Sequence, residues 1–127
     1  MEVTAIDGAH RVVSDNDLKS VLMRRVRDGA NNFWLAHDGR EFPTLAILVK
    51  SEIACLYYMP QRGINFQSMG EIAGVEGTDT SFTISLDGEQ IEVQNSAVVP
   101  FRLALAAAIE FFDDADRLPP SVGWSEL

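Results

Sequence analysis

The spacing of hydrophobic positions changes several times along the chain, and each change marks an element. Between Ser14 and Arg27, Leu18, Val21, Leu22 and Val26 recur at the interval that places them on one face of a helix. Ser14 stands where a side-chain oxygen caps that helix, and Asp17 sits in its first turn beside the positive end of the dipole. Val13 and Leu18 occupy staple positions, and Gly29 after Asp28 is the stop. This predicts an amphipathic surface helix.

From Phe33 the period becomes two. FWLAH leads to Asp38-Gly39, a hairpin dipeptide, and REFPTLAILVK follows, with Pro43 confined to the start of its strand or to a bulge because it has no N–H to give. LAILV and IACLYYM are almost continuously apolar, the pattern of central strands covered on both faces. In SFTISL and EQIEVQ the alternation is clean, with Phe82, Ile84 and Leu86 on one side and Thr83 and Ser85 on the other, then Ile91 and Val93 against Glu92 and Gln94. Asp87-Gly88 between them predicts a hairpin wet on one side. PQRGINFQSMGEIAGVEG, rich in glycine, predicts a long loop followed by a weak strand.

VVPFRLALAAAIEFF then predicts a helix opened by Pro100 in its first turn, with Phe101, Leu105, Ala108, Ile109 and Phe112 along one stripe and few polar positions elsewhere. The expected architecture is α+β. A mainly antiparallel sheet is preceded by the amphipathic helix and followed by a buried C-terminal helix packed on it, all in one domain over residues 1–127. Neither a linker nor a repeat interrupts it.

Composition narrows the function. The chain has 127 residues, 46% hydrophobic and 23% charged, which is ordinary for a globular domain with its own core. MEVTAIDGAHRVV carries no basic leader, no apolar run approaches membrane-spanning length, and Cys55 is the single cysteine, so a cytosolic, reduced protein is expected. The formal charge of −9 repels nucleic-acid backbones and anionic lipid, yet it would draw a basic protein partner.

Catalytic groups are sparse. His10 lies in an N-terminal connection and His37 beside a turn, which suits surface polar residues better than a general base. Cys55 belongs to an apolar strand and reads as a small buried hydrophobe. RGINFQSMG lacks the Lys-Ser/Thr pair and the following helix of a phosphate loop. Glu71, Glu76 and Asp79 read as a solvated acidic edge more readily than as metal ligands. No catalytic set, metal site or cofactor is expected, and enzyme activity is the weaker class.

One further pattern is carried by order. Phe42-Pro43 precedes the first central strand, Tyr57-Tyr58 ends the second, and Trp124-x-Glu126 stands near the C-terminus. From about Phe33 to Leu127 this resembles the immunity-protein family one of bacterial polymorphic toxin systems, small antitoxins often paired with deaminase toxins. The resemblance implies a binding protein that blocks a cognate toxin's active site one-to-one, with the toxin basic and deaminase-like because it must hold nucleic acid. It also implies motif roles, mainly structural, for Pro43, Trp124 and Glu126. Trp124 would pack on the sheet edge or the last helix and Glu126 would accept hydrogen bonds, or else the tail would touch the toxin itself.

Two regions are candidates for toxin contact. The loop PQRGINFQSMG displays Arg62, Asn65 and Phe66, with Phe66 as anchor and Arg62 as a paired rim or active-site contact, and Tyr58 just before it is a further contact; the alternative is a plain connector. Asp113, Asp114 and Asp116 crowd the end of the last helix against its dipole, either as a patch that meets a basic toxin and imitates its phosphates or as a solvated loop countered by Arg117. A chaperone for a neighbouring effector is the competing binding function, and a small enzyme built on the Tyr58 to Ser68 loop is the third.

Overall fold

The computed structural model describes residues 1–70 and 77–127. It is α+β, and among the described residues every strand pairing is antiparallel. The chain opens with a hairpin of β1 (Glu2–Ala5) and β2 (Gly8–Arg11), followed by α1 (Asp15–Leu22). β3 (Ala30–Ala36), β4 (Thr44–Lys50), β5 (Ile53–Gln61) and β6 (Ile64–Met69) form a meander. A second hairpin, β7 (Asp79–Thr83) and β8 (Gln90–Gln94), stands outside the main sheet. β9 (Val99–Pro100) leads into α2 (Phe101–Asp113), and β10 (Gly123–Glu126) ends the fold. The main sheet runs β10-β6-β5-β4-β3-β1-β2, with β9 pairing to β5.

Alternation sorts the central side chains onto two faces. Phe33 and Leu35, Leu45, Ile47 and Val49, and Ala54, Leu56 and Tyr58 point to one side and are closed over by α1 and α2. The buried stripe of α2 is Phe101, Ala104, Ala107, Ala108 and Phe111; Leu105, Ile109 and Phe112, expected to be deepest, are only partly covered. Alanines on the buried side let the helix lie close to the sheet. Leu48 and Cys55 point to the other side, where Phe82 and Val93 of the hairpin cover them. The expectation that β4 and β5 are covered on both faces therefore holds for β4 and in part for β5, whose Tyr57 and Met59 stay half-buried on the hairpin side.

Several boundaries depart from the sequence reading. Ser14 caps α1 as expected, accepting from the Asp17 amide at 3.1 Å while Asp17 accepts from the Val13 amide at 3.0 Å. Val13 itself is 71% exposed, so the hydrophobic staple does not form. The helix ends at Leu22, not Arg27. Buried Asn31 donates to the Arg24 carbonyl at 3.0 Å, Arg25 donates to the Leu22 carbonyl at 2.7 Å, and the Val26 amide turns to the Ala30 carbonyl at 2.9 Å. Asp28 and Gly29, both at positive φ, form the reversal that starts β3 and do not act as a helix stop.

The N-terminal hairpin was not predicted, because its strands are short. The predicted long loop over PQRGINFQSMG is replaced by a tight turn at Arg62-Gly63 and by β6; Gly63, at φ +82, supplies the backbone conformation the reversal requires. The weak strand expected after it falls on residues outside the described ones, as do Glu71 and Glu76. Asp38-Gly39 lies in a longer connection, residues 37–43, and buried Pro43 stands immediately before β4. Pro100 is the N-cap of α2 and lies just outside its first turn.

Candidate functional site

The face of the sheet turned away from the helices is only half covered. Register aligns Trp34 with Ala46, Ala46 with Tyr57 and Tyr57 with Gln67 across four strands, and the same alternation adds Asn32, Leu48 and Met59. With Asn65, Leu127 and the hairpin's Ile84 and Ile91 these residues line a concavity of ≈ 500 Å³. Trp34 is 48% exposed although it lies mid-strand in β3, and Ile91 and Leu127 are 37% and 68% exposed. Tyr57 and Met59 are half-buried. None of these lining residues carries a charged side chain.

The wall is held by polar contacts. Asn32, itself buried, donates to the Ile84 carbonyl at 3.0 Å, and Arg27 donates to the Leu86 carbonyl at 2.7 Å, which straps the hairpin over the sheet. Gln67 donates to the Tyr57 hydroxyl at 3.0 Å. Burial pushes the Tyr57 phenol above its ordinary pKa, with the neighbouring Cys55 adding to the effect. The Cys55 thiol is likewise raised by burial, so it stays protonated and inert at neutral pH. The site thus offers aromatic and apolar area with neutral hydrogen-bonding groups, suited to binding a surface and poor in groups that move protons.

The residues singled out from sequence are scattered around this face. Asn65 lines it. Tyr58 does not, because it points into the helix-side core, where its hydroxyl donates to the Ala115 carbonyl at 2.8 Å; its side chain offers no surface. Phe66 packs beside it on the same side, with ring centroids 6.3 Å apart. Arg62 is at the β5–β6 turn and meets Glu41 at 3.5 Å, while Asp116 meets Arg40 at 2.9 Å, so the β3–β4 connection brings both regions to one end of the molecule. Arg40 is the counter-charge of Asp116, the role expected of Arg117. Asp113 and Asp114 are exposed, and an Asp114 carboxylate oxygen accepts from the Asp116 amide at 3.2 Å.

The tail is docked. β10 pairs with β6, Trp124 rests 6.2 Å from Tyr58 on the helix side, and its indole donates to the Pro119 carbonyl at 2.8 Å. Glu126 departs from expectation: it is exposed, and its carboxylate makes no hydrogen bond or ion pair among the described residues. His37 lies against α2, stacked 5.9 Å from Phe111, and His10 is near Asp7 at 3.5 Å. Among the described residues no group of three or more His, Cys, Asp or Glu could hold a metal ion, and no helix is long and apolar enough to cross a membrane.

Sequence reasoning missed the open face because Trp34 and Tyr57 read as ordinary strand hydrophobics. The available signal was the run FWLA beside LAILV, in which both alternating faces are apolar while only one can be fully covered by helices.

An exposed aromatic face on an acidic protein with sparse catalytic groups describes a binding protein, and the whole chain says of what class: it belongs to a family of immunity proteins of bacterial toxin systems. The relative that shows this is the double-stranded DNA deaminase immunity protein of Burkholderia cenocepacia (strain H111), 36% identical over 121 residues, which are 95% of each chain. No family model matches the chain.

Proposed function

We propose that the protein is an antitoxin that binds a nucleic-acid deaminase toxin one-to-one and blocks its active site, in the cytosol and without turning over a substrate itself. The observation that carries this is the similarity to a deaminase immunity protein along 95% of both chains. Chemistry supports it. A deaminase that acts on DNA must present cationic surface to phosphates, and a partner with formal charge −9 is drawn to that surface at long range. The inert Cys55 and the neutral lining of the open face suit occlusion and leave no acid–base pair there.

Co-expression tests the reading. Cells producing only the active domain of the cognate deaminase toxin should regain growth when the protein is supplied. Rescue that requires the toxin's secretion region would instead make the protein a chaperone, and absence of rescue with both proteins folded would refute the proposal.

A further inference from the structure

We propose that the open face of the sheet, centred on Trp34 and Tyr57 and walled by the β7–β8 hairpin, is the surface that seats against the deaminase; this rests on the antitoxin reading above. A half-exposed tryptophan in an internal strand is exposed apolar area that a solitary domain would be expected to cover. Here it lies among Tyr57, Met59, Ile91 and Leu127, and the aromatic residues and methionine are the types enriched at interface centres. The charge distribution points the same way. The protein carries 19 acidic side chains, yet none lines this concavity, so its lining side chains are uncharged. An uncharged, aromatic centre is the anatomy of an interface anchor.

The same charge selects the occupant. A net −9 surface is steered toward the most cationic side of its partner, and on a DNA deaminase that side is the substrate channel around the base pocket. Seated there, the open face meets the apolar and aromatic residues that receive an extruded base, and the path of the DNA is closed. The geometry is ready for this. The hairpin is strapped by the Asn32 and Arg27 hydrogen bonds to the Ile84 and Leu86 carbonyls, so little ordering entropy remains to be lost on docking. The acidic end at Asp113, Asp114 and Asp116 adjoins the opposite, helix-covered side and is not the centre of this contact.

The test measures affinity of the full chain for a catalytically silenced form of the cognate deaminase domain. Trp34→Ala and Ile91→Glu, on separate elements of the face, should each weaken binding by about thirtyfold or more while leaving the urea midpoint near the parent's. If the parent binds tightly and both variants bind equally well, the surface is wrong and the antitoxin reading stands. If the folded parent does not bind at all, that reading fails and the surface assignment with it. A free protein that runs as a dimer, and that Ile91→Glu converts to monomer without loss of deaminase affinity, would make a second copy the occupant and overturn the proposal.

Discussion

The two faces of the sheet are built from the same strands and obey different rules. On the helix side, Phe33, Leu35, Leu45, Ile47, Leu56 and Phe111 are fully buried, and the polar tips of the aromatic Tyr58 and Trp124 have their acceptors at the Ala115 and Pro119 carbonyls. On the opposite side the same strands expose Trp34 and leave Tyr57 and Met59 half covered, with a hairpin over only part of the surface. Tyr57 and Tyr58 are adjacent in sequence and fall on different faces. The lesson is that a fully packed face and an open apolar face are separated here by strand alternation, one residue apart.

That separation predicts a graded set of effects. Phe111→Ala empties a buried site between α2 and the sheet and should cost about 3 to 5 kcal/mol in urea unfolding; a loss below about 1 kcal/mol would mean that the helix side does not dominate stability. Trp124→Ala removes a half-buried ring and its hydrogen bond to Pro119, for roughly 2 kcal/mol. An unchanged melting temperature would detach the tail from the core. Tyr58→Phe leaves the buried Ala115 carbonyl without its donor and should cost about 1 to 2 kcal/mol. Trp34→Ala, across the sheet, should change stability by no more than about 0.5 kcal/mol, the range of surface substitutions. A cost approaching that of Phe111→Ala would erase the distinction between the faces.

Another small effect is in acid. The hydrogen bond from Arg24 holds the Asp7 carboxyl below its ordinary pKa, outweighing the opposing effect of burial, and His10 contributes further. A depressed carboxylate contributes stability that is complete above its unfolded pKa of about 3.9 and is lost as pH falls through the lower folded value. For a pair at the surface this amounts to less than about 1 kcal/mol. Asp7→Asn should therefore lower stability at neutral pH by that amount and converge with the parent in strong acid; parallel curves at all pH values would refute the linkage.

Much of the fold was legible because its signals are strong and local. The continuous apolar runs LAILV and IACLYYM marked the central strands, the Ser14 cap fixed the start of α1, and VVPFRLALAAAIEFF had to be buried. What was misread depended on tertiary partners. Helix α1 stops early because Asn31, from a strand, takes the Arg24 carbonyl. The glycines around Arg62 suggested a loop, whereas one of them serves a tight turn and Ile64 to Met69 finds a strand on each side. The candidate site was the least legible part. Exposure of Trp34 follows from how much sheet the short hairpin covers, and nothing in the residues near Trp34 states that. Phe66, which the glycine-rich pattern places on a loop, and Tyr58, at the end of its strand, both belong to the packed face.

Stoichiometric inhibition tests the central claim most directly. Base deamination by the active cognate deaminase toxin domain would be followed while the folded protein is titrated in. The account predicts that product formation falls linearly and vanishes at one equivalent, with no product attributable to the protein alone. Full deaminase activity in the presence of a several-fold excess would contradict it.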